Sequence, residues 1–183
     1  MALRDRKDLF WIFGLLILII APFVCLFTPV ITSITFFSGP RTIVFIPLVT
    51  GIWMLFFAFI FVIALLCASY FSKSIPLNII TGIVAIIGFI IIFTLGVQNY
   101  IHLHEDKIVY NPIFGKKVEY DWGDLTKVTH ELYDSKTKQD ERYIFTFTDD
   151  YILEFPGSGP VNAAVKSIIY NKALTYEVPF EEY

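Results

Sequence analysis

Hydrophobic and polar positions divide this chain into two unlike halves. Leu9 to Pro40, Thr42 to Ser72 and Ser74 to His104 contain no Asp, Glu, Lys or Arg, so Arg41 and Lys73 are the only such charges between Asp8 and Glu105. A bilayer's hydrocarbon core is crossed by about 20 apolar helical residues, each rising about 1.5 Å, with all backbone polar groups bonded internally. The pattern predicts three transmembrane helices at 9–27, 43–71 and 79–97, behind a polar tail at 1–8. The second is long enough to tilt or kink, and Pro47 and Gly51 near its start supply a cause for a kink. Ser72 to Pro76 makes a short connection to the third.

From Tyr100 onward the blocks give way to alternation broken by turn residues, the mark of strands exposed on one face. Strands are predicted at 100–104, 108–114, 117–121, 125–133, 142–148 and 151–155, with a charged hairpin loop over 134–141. Gly157-Ser158-Gly159 interrupts the sheet as a flexible turn. Val161, Ala164, Val165, Ile168 and Ile169 then mark one stripe of a helix over 161–172, with Pro160 in its first turn, and 173–183 is an acidic tail. Short strands followed by one amphipathic helix predict a small α+β domain over 98–172. Its expected form is a bent antiparallel sheet or barrel covered by the C-terminal helix.

Composition changes this picture in one respect. Only 17% of the 183 residues are charged, against about 25% in soluble domains, and the deficit belongs to the membrane half. The spans offer none of the ionisable groups that proton pumping, ion-coupled transport or a charge-lined channel requires. The first apolar run is too long for a typical signal peptide and no small-x-small cleavage site follows it, which predicts an uncleaved anchor. Cys25 and Cys67 both fall within predicted spans and read as buried apolar residues, so the polar domain has neither a disulfide framework nor a thiolate metal site. Positive charge does not choose an orientation: Arg4, Arg6, Lys7 and Lys73 on one side balance Arg41, Lys107, Lys116 and Lys117 on the other. A multi-pass cell-membrane protein follows, with the side of its polar domain open.

Candidate chemistry is sparse. From residue 98 there are 15 acidic and 9 basic residues, a balance that repels nucleic acid and anionic lipid unless a local basic pocket overrides it. Lys116, Lys117 and Lys127 are the candidates for such an anion or interaction surface; solvated strand ends are the plainer reading. His102 and His104 project from one face of a strand, and with His130 they are candidate zinc ligands. Histidines at a membrane surface are unremarkable without a metal. No nucleophile with a base partner is recognisable, so neither a catalytic residue nor a cofactor is predicted.

Three pieces of the polar half carry a resemblance: Ile101-His102-Leu103 to Ile108-Val109-Tyr110, the turn at Gly115-Lys116, and Tyr120-Asp121-Trp122-Gly123-Asp124-Leu125-Thr126-Lys127-Val128. Together they resemble the bacterial pleckstrin-homology-like domains of small membrane proteins, over residues 100–172. The last piece is similar to the family's "aromatic, x, x, Asp, apolar, x, x, Val" lead into a central strand. The resemblance implies seven strands, one more than the pattern yields, and a scaffold or interaction module with no shared catalytic residues. The function expected is that of a non-enzymatic membrane protein presenting a pleckstrin-like domain to a protein partner at the bilayer surface, with toxin immunity or envelope-stress defence as one specific form. The alternative is a membrane-surface enzyme or carrier that acts on a lipid-like substrate through a histidine metal site.

Overall fold

The computed structural model describes the backbone of residues 2–72, 74–133 and 139–183, and side chains within those ranges from Ile12 onward. The chain forms two compact units, one of Met1–Thr35 with Val49–Asn99 and one of Phe36–Leu48 with Tyr100–Tyr183.

The first unit holds α1 (Ala2–Phe36), α2 (Val49–Phe71) and α3 (Ile75–Val97). Ile12–Phe36, Val49–Phe71 and Ile75–Val97 are each long and apolar enough to cross a membrane. Large apolar side chains such as Leu26, Trp53 and Ile86 point outward from them, as a lipid-facing surface requires. Four expected boundaries move. Residues 2–8 are helical rather than a separate tail, and α1 continues past residue 27 to Phe36, through Pro22 and Pro29. A strand occupies the first residues of the expected second span, so α2 starts at Val49, Pro47 lies outside it, and the proposed proline kink is absent. The third span starts at Ile75 rather than 79, with Pro76 in its first turn, where a missing N–H costs nothing.

Contact between α2 and α3 is backbone on backbone. A Cβ placed on Gly51 would stand 2.6 Å from the Gly96 carbonyl oxygen, and one on Gly96 would stand 2.9 Å from that of Gly51. Only glycine permits this approach, the usual device for helix association where lipid removes the hydrophobic drive. Asn99 Nδ2 closes the same end by donating to Thr50 Oγ1 at 2.5 Å. Both cysteines are free; Cys25 is buried as expected, but Cys67 is exposed.

The second unit holds two four-stranded sheets. The first runs β1 (Thr42–Pro47), β2 (Tyr100–His104), β3 (Lys107–Asn111) and β4 (Val118–Asp121) in that order, all antiparallel. The second is ordered β7 (Ile152–Pro156), β6 (Arg142–Phe147), β5 (Leu125–Glu131) and β8 (Phe180–Glu182), antiparallel except for the parallel pair β5 and β8. Two strands were not expected. β1 comes from the connection between α1 and α2: Val44 and Ile46 enter the domain core while Phe45 packs from the other face on Phe37, 4.6 Å between ring centroids. β8 lies inside the segment expected to be a tail.

A helix, α4 (Ala163–Thr175), joins β7 to β8. Its buried stripe is Val165, Ile169 and Ala173, while Ala164 and Ile168 face outward, so the stripe is narrower than the sequence pattern suggested. Asn162, not Pro160, starts the helix: its side-chain oxygen accepts the Val165 N–H at 3.1 Å. The core between these elements is strongly aromatic, with Trp122, Tyr143, Phe145, Phe147 and Phe155 all buried. Within it Trp122 Nε1 donates to the His104 carbonyl at 2.9 Å. Of the expected loop at 134–141, residues 134–138 lie outside the described residues.

Candidate functional site

The three histidines do not converge. His102 and His104 are neighbours on β2, with ring centroids 5.9 Å apart, whereas His130 sits on β5 in the other sheet. His102 Nε2 meets Thr42 Oγ1 of β1 at 3.1 Å, and the ring stands edge-on to Phe37. Burial, then the positive neighbours His104, Lys117 and Lys107, bring its pKa down to about 4. Such an imidazole stays neutral at physiological pH. Among the described residues no cluster of three or more His, Cys, Asp or Glu side chains is arranged to hold a metal ion.

Nor do the three lysines form a pocket. Lys117 pairs with Glu119 at 2.7 Å, a carboxylate that also takes Lys107 at 2.5 Å; the two hydrogen bonds lower the Glu119 pKa to about 2. Lys127 lies on the other sheet and pairs with Glu181 of β8 at 2.7 Å. Lys116 is exposed at the β3–β4 turn.

His130, itself buried, instead centres a partly exposed polar cluster. Its Nε2 lies 2.6 Å from Glu141 Oε1 and its Nδ1 lies 2.8 Å from Glu182 Oε1. Each ring nitrogen thus faces a carboxylate oxygen. Lys166 of α4 bonds the same Glu141 oxygen. Burial pushes the Glu141 carboxyl up, but the hydrogen bonds from Lys166 and His130 outweigh it and hold its pKa below the ordinary value. Beneath the imidazole, the Tyr143 ring stacks at 4.3 Å and 6°. Burial, with the nearby charges of Glu141 and Glu182, pushes that phenol up to about 12. Gly157 passes so close that a Cβ there would stand 2.7 Å from Glu141 Cγ. The cluster ties β5, β6, β8 and α4 together and uses its charges on itself, an arrangement suited to holding the C-terminal strand. Glu141 and Lys166 were not singled out from the sequence, because nothing local links them to His130, and Glu182 was expected only as part of a solvated acidic tail.

A second feature is the edge of β7. Phe147 N–H donates to the Tyr151 carbonyl and Gly157 N–H to that of Glu141, so the odd-numbered residues of this segment face β6. By antiparallel alternation, Ile152 and Glu154 turn their N–H and C=O groups away from β6, toward a side that no described strand occupies. Their side chains are exposed as well, Ile152 at 56%.

No family model, no curated protein and no solved structure matches this chain. Its spans and sheets define a class nonetheless: a multi-pass membrane protein with a small domain of antiparallel sheets.

Proposed function

We propose that this is a non-enzymatic cell-membrane protein whose pleckstrin-like domain binds a protein partner by strand addition at β7. The observation that carries the reading is the free edge: outward backbone groups at Ile152 and Glu154, flanked by an exposed apolar side chain and a carboxylate. An extended segment pairs with such an edge through its main chain, and a Lys or Arg beside Glu154 suits the acidic surface. The pleckstrin-like reading is supported by the strand count. With β1 added to the six strands legible in the sequence, a four-stranded meander is followed by the three strands β5 to β7 and a helix. The non-catalytic reading is supported by ion pairs among the described residues, in which Lys107, Lys117, Lys127, His130 and Lys166 each meet a carboxylate.

Photo-crosslinking from position 152 of the full-length protein in cell membranes tests this. One defined protein adduct is expected, abolished by Glu154→Pro, which removes an outward N–H but no ladder bond. Recovery of lipid adducts alone, or an adduct indifferent to Glu154→Pro, refutes strand addition.

A further inference from the structure

Register places the β3–β4 hairpin at a particular end of the first sheet. β1 ends at Pro47, two residues before α2, and β2 begins at Tyr100, three residues after α3. Pro47 pairs with Tyr100, and Tyr100 with Asn111. Asn111 therefore lies at the sheet end from which the chain passes to α2 and to which it returns from α3, whereas α1 leads into the opposite end at Thr42, and the turn at 112–117 projects beyond Asn111.

The turn itself is unlike the other polar turns of the domain. Phe114 at its tip is 81% exposed, the largest exposure among the bulky apolar side chains described. Gly115 follows at φ +123°, a conformation open to glycine that lets the chain reverse directly behind the phenylalanine. Lys116 and Lys117 come next, both exposed. An aromatic ring at the tip with cations behind it matches an interface whose acyl region is apolar and whose headgroup layer is anionic.

We propose that the β3–β4 hairpin is a bilayer-contacting element: Phe114 enters the interfacial layer of the membrane in which the protein is anchored, and Lys116, beside a Lys117 already paired with Glu119, meets anionic headgroups. The contact would steady the domain against the surface and fix which of its edges faces outward. It is independent of what β7 binds.

The test uses the full-length protein, with Cys25 and Cys67 replaced by alanine and a fluorophore on a single cysteine at 114. Vesicles are phosphatidylcholine with or without phosphatidylglycerol, carrying brominated acyl chains. A label at 106, in the β2–β3 turn at the opposite end of the same sheet, is the reference. Severalfold stronger quenching by brominated lipid at 114 than at 106 is expected. In anionic vesicles the variant Lys116→Ala should lower the ratio of inserted to free hairpin by about fivefold. Equal quenching at 114 and 106 overturns the proposal. So does a label at 114 that is shielded from aqueous iodide yet unquenched by brominated lipid, the signature of a protein partner over the hairpin.

Discussion

Acid should weaken the domain through one histidine. His102 has its pKa held near 4, against about 6.5 for an unfolded chain, because burial and then His104, Lys117 and Lys107 disfavour its charged form. A depressed histidine contributes stability that is complete above about pH 6.5 and is lost as pH falls toward 4, since the unfolded chain takes up the proton first. At about pH 4.5 protonation stabilises the unfolded ring by about 2.7 kcal/mol and the folded one by about 0.2 kcal/mol, which sets a ceiling of about 2.5 kcal/mol. The ring is only half-buried and water screens it, so about 1 kcal/mol is the expected loss. Other carboxylates titrate in the same range, and His102→Gln isolates the effect. Hydrogen exchange of the β2 amides in the full-length protein, reconstituted in nanodiscs, should lose about fivefold more protection between about pH 7 and pH 4.5 in the wild type than in His102→Gln. Identical pH slopes in the two proteins would refute the assignment.

Four further outcomes follow from the packing. Gly51→Leu puts a side chain against the Gly96 carbonyl and should part the start of α2 from the end of α3, costing about 3 kcal/mol and lowering the yield of disulfide between cysteines introduced across that crossing. His130→Ala strips Glu141 and Glu182 of their shared partner and should cost about 3 kcal/mol, with exchange of the 180–183 amides rising most. Glu182→Gln, on a half-exposed side chain, should cost about 1 kcal/mol or less by the same readout. Trp122→Phe gives up the bond to the His104 carbonyl and should lower the thermal midpoint by about 5 °C without changing the fold.

The spans and six of the strands were legible because each is written in local periodicity. The two missed strands fail for different reasons. Thr42-Ile43-Val44-Phe45-Ile46-Pro47 is continuous apolar sequence running into another apolar block, and hydropathy cannot separate a buried strand from the start of a span. Two signals were present. The run to residue 71 exceeded what a bilayer needs, and the β-branched Thr-Ile-Val closed by Pro47 suits a strand end better than a helix interior. Phe180-Glu181-Glu182 offers nothing comparable: three residues, two of them acidic, are held by β5 through pairs such as Lys127 with Glu181 and His130 with Glu182. Those partners are some 50 residues away, and the polar cluster was hidden likewise, its bonded members lying 11 to 52 residues apart in sequence. His130 was visible as a titratable residue, but its partnership with Glu141, Lys166 and Glu182 depends on topology alone. The lysines illustrate the converse, since local spacing suggested a pocket while Glu119, two residues on, had already claimed Lys117 and the cross-strand Glu181 had claimed Lys127.

The place of β1 in the chain has a consequence for biogenesis. Strand neighbours β1 and β2 are separated by α2 and α3, so a ribosome delivers one edge of the first sheet, then two membrane helices, and only then the strand that pairs with it. The sheet can be completed only when that helical hairpin has gone in and come back, leaving both strands on one side of the bilayer. A chain whose hairpin inserts wrongly would strand Ile101 and Leu103, fully buried in the finished domain, along an open edge. The domain thus acts as a proofreader of its own insertion, and a piece beginning at Tyr100 should be a poor substitute for the whole protein.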